Sequence, residues 1–164
     1  MKVGRYVNYN THATELIEKS AHSIICSAGM QSEKQYIHHR NISCYEHSIG
    51  VAYMSICIAL RLHLKVNMKS LIRGALLHDY FLYDWHEPDE SHELHGFIHA
   101  GRALKNAERD FELNDIERDI ISKHMFPLNP QPPKYVESVV VTVADKICAT
   151  RELFSAKALS VVRR

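Results

Sequence analysis

The chain has 164 residues, 46% of them hydrophobic and 24% charged, which is length enough to enclose a sizeable core and an ordinary balance for a soluble globular protein. A formal net charge of +1, with no local run of lysine and arginine, gives no electrostatic footprint for nucleic acid or an anionic membrane. Charges interrupt every apolar stretch short of spanning length, the N-terminus has no signal-peptide pattern, and Cys26, Cys44, Cys57 and Cys148 show no Cys-x-x-Cys spacing; the expectation is a cytoplasmic protein with reduced thiols. The unusual feature is twelve histidines. Histidine is the commonest metal ligand, and here cysteine does not compete with it.

The predicted elements are helical nearly throughout, with no repeat or composition break to divide the chain. Residues 11–28 (THATELIEKSAHSIICSA) read as an amphipathic first helix stopped by Gly29. Ser32-x-x-Gln35 has the pattern of a capping box for a short helix ending near His38. Ser43-x-x-Glu46 is a better one, and opens a long helix with His47, Val51, Met54 and Ile58 at helical spacing. The next helix, 67–79, ends in the pair His78-Asp79, and an acidic, aromatic loop (YFLYDWHEPDES) with Pro88 as breaker follows. Helices at 92–108 and 114–125 come next, the second opened by Asn114-x-x-Glu117, and Pro127, Pro130, Pro132 and Pro133 forbid helix across the linker beyond. In Val136–Val143 the β-branched residues favour a strand. Val136, Val140, Val143 and Ile147 nevertheless fit one helical face, and the pattern runs on past strand length into ICATRELF, so the segment reads as a buried helix.

Polar groups stand where core residues belong. His47 shares a face with Val51; Asp79 follows an apolar helix; His95 and His99 are one turn apart; His124 continues the stripe Ile116, Ile120, Ile121; Asp145 sits between Ala144 and Ile147 in the most apolar helix. Taken singly, each histidine reads as a surface or hydrogen-bonded core residue, and Asp145 as a salt-bridge partner. Taken together, five or six inward ligand-type residues on separate helices are what a metal site in a helical bundle requires.

The series His47 … His78-Asp79 … His99 … His124 … Asp145 resembles the H…HD…H…H…D signature of the HD-domain metal-dependent phosphohydrolase superfamily. "EHSIGVAYMS" resembles that family's first-histidine helix, "GALLHD" its central motif and "VADKI" its final aspartate, over about residues 43–151. The resemblance implies an all-α, single-domain helical bundle over residues 1–164, with N-terminal helices at 11–38 packing on the signature region. It implies one metal held by His47, His78, Asp79 and Asp145, and a second held by His99 and His124, with Asp79 bridging the two. Two divalent transition ions per chain (iron, manganese, nickel or zinc) suit such imidazole and carboxylate donors. His99 is preferred to His95 because "HAGRAL" resembles the family's histidine-led helix start, with Ala103 where glycine is usual. "HGFI", one turn earlier, resembles it too. His95 is then a substrate contact, a proton donor beside the catalytic Asp79, or an outer hydrogen-bonding partner.

Function follows as an expectation from the same resemblance: hydrolysis of a phosphoester or phosphoanhydride in a nucleotide-like or other small phosphorylated metabolite. Two neighbouring ions can polarise a phosphoryl oxygen and activate a shared water. Residues after His78-Asp79 are Tyr80, Phe81 and Leu82, and no Gly-Tyr-Pro element is present, which lowers the odds of a cyclic-dinucleotide phosphodiesterase; nor is the Glu-Asp motif of guanosine polyphosphate hydrolases recognisable. Arg40, Arg102, Lys123 and Lys146 are candidate contacts for the substrate anion, each with a solvated surface charge as the bland alternative. The loop around Tyr83, Asp84, Trp85 and His86 is either a packed surface loop or a cover that stacks on a base. The alternatives are a mixed-valent di-iron oxygenase of the same superfamily and a non-enzymatic ligand-sensing domain. A homodimer is open as an assembly.

Overall fold

A computed structural model describes residues 11–39, 42–82 and 95–161, the side chains of 39, 95–98 and 155–161 excepted. Its elements run α1 (Thr11–Ile25), α2 (Ala28–Ser32), β1 (Ile37–His39), β2 (Ile42–Ser43), α3 (Cys44–Arg61), α4 (Met68–Leu77), α5 (His95–Asp110), α6 (Asp115–Lys123) and α7 (Val136–Val161). The fold is all-α, with a two-stranded antiparallel hairpin as its sheet among the described residues.

The helix starts are where the side chains can hold them. Ser43 Oγ accepts from Glu46 N at 3.2 Å while Glu46 Oε2 accepts from Ser43 N at 3.0 Å, so two otherwise orphaned amides open α3 satisfied. Asn114 and Glu117 do the same for α6, at 2.9 and 3.1 Å. Asn67 caps α4 through Ser70 N at 3.1 Å.

Helix α4 is the axis of the bundle. Ser70, Leu71, Ile72, Gly74, Ala75, Leu76 and Leu77 are all buried on it, with α3, α6 and α7 around it and α1 across α3 and α4. One core joins Ala13, Ile17 and Ile24 of α1 to Val51, Ile56, Leu71, Leu76, Ile120 and Val141. At Gly74 helix α6 comes close: a Cβ there would lie 2.4 Å from Ile120 Cδ1. That crossing is one turn before His78 on α4 and one turn before His124 on α6, so it sets where the two histidines meet.

Three expectations need correction. Gly29 does not stop the first helix; α1 ends at Ile25, and Gly29 lies inside α2, which Ser27 caps through Met30 N at 3.2 Å. Its missing side chain makes room for Tyr80, whose Oη would stand 1.6 Å from a Cβ at this position. Secondly, Ser32 does not open a helix towards His38. Its hydroxyl donates to Gly29 O at 2.6 Å, closing α2, and the chain beyond pairs as β1 with β2, tied by Cys44 N to Tyr36 O at 2.9 Å. Thirdly, Val136–Val143 is helical as expected, but the buried face is rotated. Val140, Val141, Ala144 and Cys148 are inside, while Val136 and Val143 are 49% and 44% exposed. The rotation is set by buried polar bonds: Ser138 Oγ donates to Asp119 Oδ2 at 2.7 Å, and Glu137 Oε1 accepts from Asn67 N at 2.6 Å. Leaving such groups unpaired costs more than exposing a valine.

Candidate metal centre

The histidines arrive from helix ends. His47 is in the first turn of α3, and His78 and His124 are the C-caps of α4 and α6. His78 and His124 are locally held in the same way. Nδ1 of His78 donates to Ala75 O at 2.8 Å, and Nδ1 of His124 to Ile121 O at 2.9 Å. With the proton fixed on Nδ1, each ring presents the lone pair of Nε2 inward. His99 comes from α5 and Asp145 from α7.

These side chains form two groups. Donor atoms of His47, His78 and Asp145 lie within 4.8 Å of one another, and so do those of Asp79, His99 and His124; all six residues are buried. Asp79 stands between the groups and divides its oxygens. Its Oδ1 is 3.4 Å from Nε2 of both His99 and His124, while its Oδ2 is 3.5 Å from Nε2 of His78 and 3.9 Å from Nε2 of His47. Nε2 of His47 is 3.2 Å and Nε2 of His78 3.8 Å from Asp145 Oδ1. Nε2 of His99 faces Nε2 of His124 at 2.9 Å.

The donor set fits metal ions. Nε2 of His78 and Oδ1 of Asp79 are buried and make no hydrogen bond. A desolvated donor without a partner is costly unless something else meets it. Imidazole nitrogen with carboxylate oxygen is the donor chemistry of first-row transition ions rather than of magnesium or calcium. Burial pushes the Asp79 carboxyl up, but His78, His124, His38 and His99 outweigh it and hold the group well below the usual carboxylate range. Asp145 is likewise lowered against its burial by His47 and His78. Both are anionic, as a cation site requires.

Two residues join the cluster that the sequence reading did not select. His38, on β1, places Nε2 3.2 Å from Asp79 Oδ2, and its ring stacks on His47 with centroids 3.9 Å apart and planes at 18°. Glu152, in the second half of α7, accepts from Nδ1 of His47 at 2.9 and 3.1 Å and lies 3.6 Å from Nδ1 of His38. Glu152 had a signal, since seven residues from Asp145 put it on the same helical face. His38 had none, because its placement depends on the hairpin. Glu33 is a further buried carboxyl; burial and Asp79 raise it well above its ordinary range, and neither of its oxygens makes a hydrogen bond.

The candidate substrate cations are less well gathered. Lys146 Nζ donates to His124 O at 3.1 Å, Lys123 Nζ turns to Gln131 Oε1, and Arg102 is half-buried on α5 one turn beyond His99. Arg40, the side chain of His95 and the loop Tyr83–His86 lie outside what is described. The four cysteines are free thiols. Among the described residues no helix is long and apolar enough to cross a membrane.

A helical bundle that gathers four histidines and two aspartates from five chain segments defines a protein of the metal-binding HD class. The HD domain family matches residues 44–150, and the chain belongs to that family, whose members are mostly metal-dependent hydrolases. Neither the curated proteins nor the solved structures compared with it give a match.

Proposed function

We propose that this chain is a phosphohydrolase, acting as one domain in the cytoplasm on a phosphoester or phosphoanhydride of a nucleotide-like or other small phosphorylated metabolite. The observation that supports it is the division of the Asp79 carboxylate between two histidine groups. On this reading His47, His78, Asp79 and Asp145 hold one divalent transition ion, and Asp79, His99 and His124 hold a second. Such ions supply Lewis acidity for a phosphoryl oxygen and lower the pKa of water. The chain's own part is to fix donors of the right protonation: the Nδ1–H bonds of His78 and His124 keep their Nε2 lone pairs free, and burial excludes bulk water. Lys146, whose Nζ donates to His124 O, and Arg102, three residues beyond His99 on α5, are the candidate contacts for a substrate phosphate.

The test is elemental analysis of protein purified without chelator, followed by a phosphate-release screen with manganese, nickel, zinc or ferrous iron, with and without oxygen. Phosphate release under anaerobic conditions with a redox-inactive metal is the expected result. Turnover that demands ferrous iron and dioxygen would replace this reading by the oxygenase one.

A further inference from the structure

We infer that His38 and Glu152 are positioning residues that orient the metal donors from outside: Glu152 through His47, and His38 through Asp79. The inference rests on the two-ion reading above.

The geometry separates a positioning role from ligation. Two imidazoles that bind neighbouring positions of one ion point at that ion from different directions, so their rings diverge. His38 and His47 instead lie face to face, 3.9 Å apart at 18°. Their Nδ1 atoms both turn towards Glu152, at 3.6 and 2.9 Å, and their Nε2 atoms both turn towards the aspartates. His38 is therefore beside the donor set rather than within it.

What each residue does follows from its atoms. Glu152, accepting from Nδ1 of His47 through both oxygens, keeps the His47 proton on Nδ1. That leaves the Nε2 lone pair aimed at the group containing His78 and Asp145. This carboxylate does for His47 what the carbonyls of Ala75 and Ile121 do for His78 and His124. His38, donating Nε2–H to Asp79 Oδ2 at 3.2 Å, uses one lone pair of that oxygen and fixes the carboxylate's rotation. Oδ1 is thereby directed to His99 and His124. Carboxylates and other partners that orient a metal-binding histidine from behind typically change metal affinity by about 10–100-fold.

The two roles give different signatures. Zinc affinity is measured on the full chain by competition with a chromophoric chelator, and the metal-free form of each variant is melted to confirm that it folds. Glu152→Ala is expected to weaken one of two zinc sites by about 10–100-fold and leave the other unchanged. Glu152→Gln, whose amide oxygen still accepts from His47 Nδ1, is expected to recover most of that loss. His38→Ala is expected to weaken both sites, because Asp79 serves both. Two unchanged zinc affinities in Glu152→Ala, or loss at one site only in His38→Ala, overturn the inference while leaving the two-ion reading intact. A wild-type chain that takes up no zinc, manganese, nickel or iron overturns both together. Equal loss in Glu152→Gln and Glu152→Ala, with metal-free melting lowered alike, would assign Glu152 to packing and overturn its role.

Discussion

Gly74 and Ile120 are in contact where α4 crosses α6: a Cβ on Gly74 would lie 2.4 Å from Ile120 Cδ1 and 3.0 Å from Ile120 Cβ and Cγ2. Cδ1 is the end of a side chain and can move, but Cβ and Cγ2 of a β-branched residue in a helix have little freedom. Gly74→Ala should gain about 1 kcal/mol in helix propensity. The overlap, worth about 1–3 kcal/mol, should outweigh it. Urea unfolding is expected to show a net loss, smaller when Gly74→Ala is made in an Ile120→Ala background that removes Cγ2 and Cδ1. A more stable Gly74→Ala would show that the two helices can separate freely.

Removing the shared carboxylate should empty both sites. Asp79→Ala is expected to bring bound metal from about two per chain to near zero, and to lower the melting temperature of protein held in excess zinc, since an ion that binds only the native state stabilises it. Lys123→Ala, whose amine faces Gln131, should keep full metal. Full occupancy in Asp79→Ala, read by elemental analysis, would end the two-ion reading.

His124→Ala should separate the sites. With His99 and His124 assigned to the second ion alone, bound metal is expected to fall from about two to about one per chain in a folded protein. Phosphate release should collapse with it. His99→Ala should behave alike and His95→Ala should keep both ions. The reverse result for His95 and His99 would put the ligand one helical turn earlier.

The metal-free protein should lose stability on both sides of weakly acidic pH. Burial lowers His38, yet bonds to Asp79 and Glu152 carry it from 6.5 up to about 10. A raised pKa stabilises fully below the unfolded value and is lost as pH climbs towards the folded one, here between about 6.5 and 10. Burial raises Glu152, while His38 and His47 bring it from 4.5 down to about 2. That lowered carboxyl stabilises above its unfolded value and is lost as pH falls from about 4.5 to 2. Thermal melts of chelator-stripped protein should therefore be highest near pH 5–6. A melting temperature that keeps rising from pH 6 to 9 would contradict the His38 geometry.

Much of this was legible before any coordinates. Ser43–Glu46 and Asn114–Glu117 announced two helix starts because a capping box is local chemistry, and both are formed as read. His47, Asp79, His124 and Asp145 stood out because polar side chains interrupted apolar helical faces, the resemblance to the HD signature completed the set with His78 and His99, and the structure brings all six together. The rotation of α7 was not legible. Hydrophobic periodicity favoured Val136 and Val143, whereas a hydrogen bond from Ser138 to Asp119, nineteen residues away, decided which face is inside. His38 escaped for a similar reason: it reaches Asp79 only once a three-residue strand has paired with its neighbour.

His78 and His124 each donate Nδ1–H to a carbonyl of the helix that carries them, Ala75 O and Ile121 O. A cation held at Nε2 would draw electron density through the ring and make Nδ1–H a stronger donor, so its charge would be felt by the last turns of α4 and α6. Those turns are also the negative ends of the two helix dipoles. Metal loading should therefore slow amide exchange in the C-terminal turns of α4 and α6, with α1 little changed. The rigidity of the bundle's axis would then report whether the site is filled.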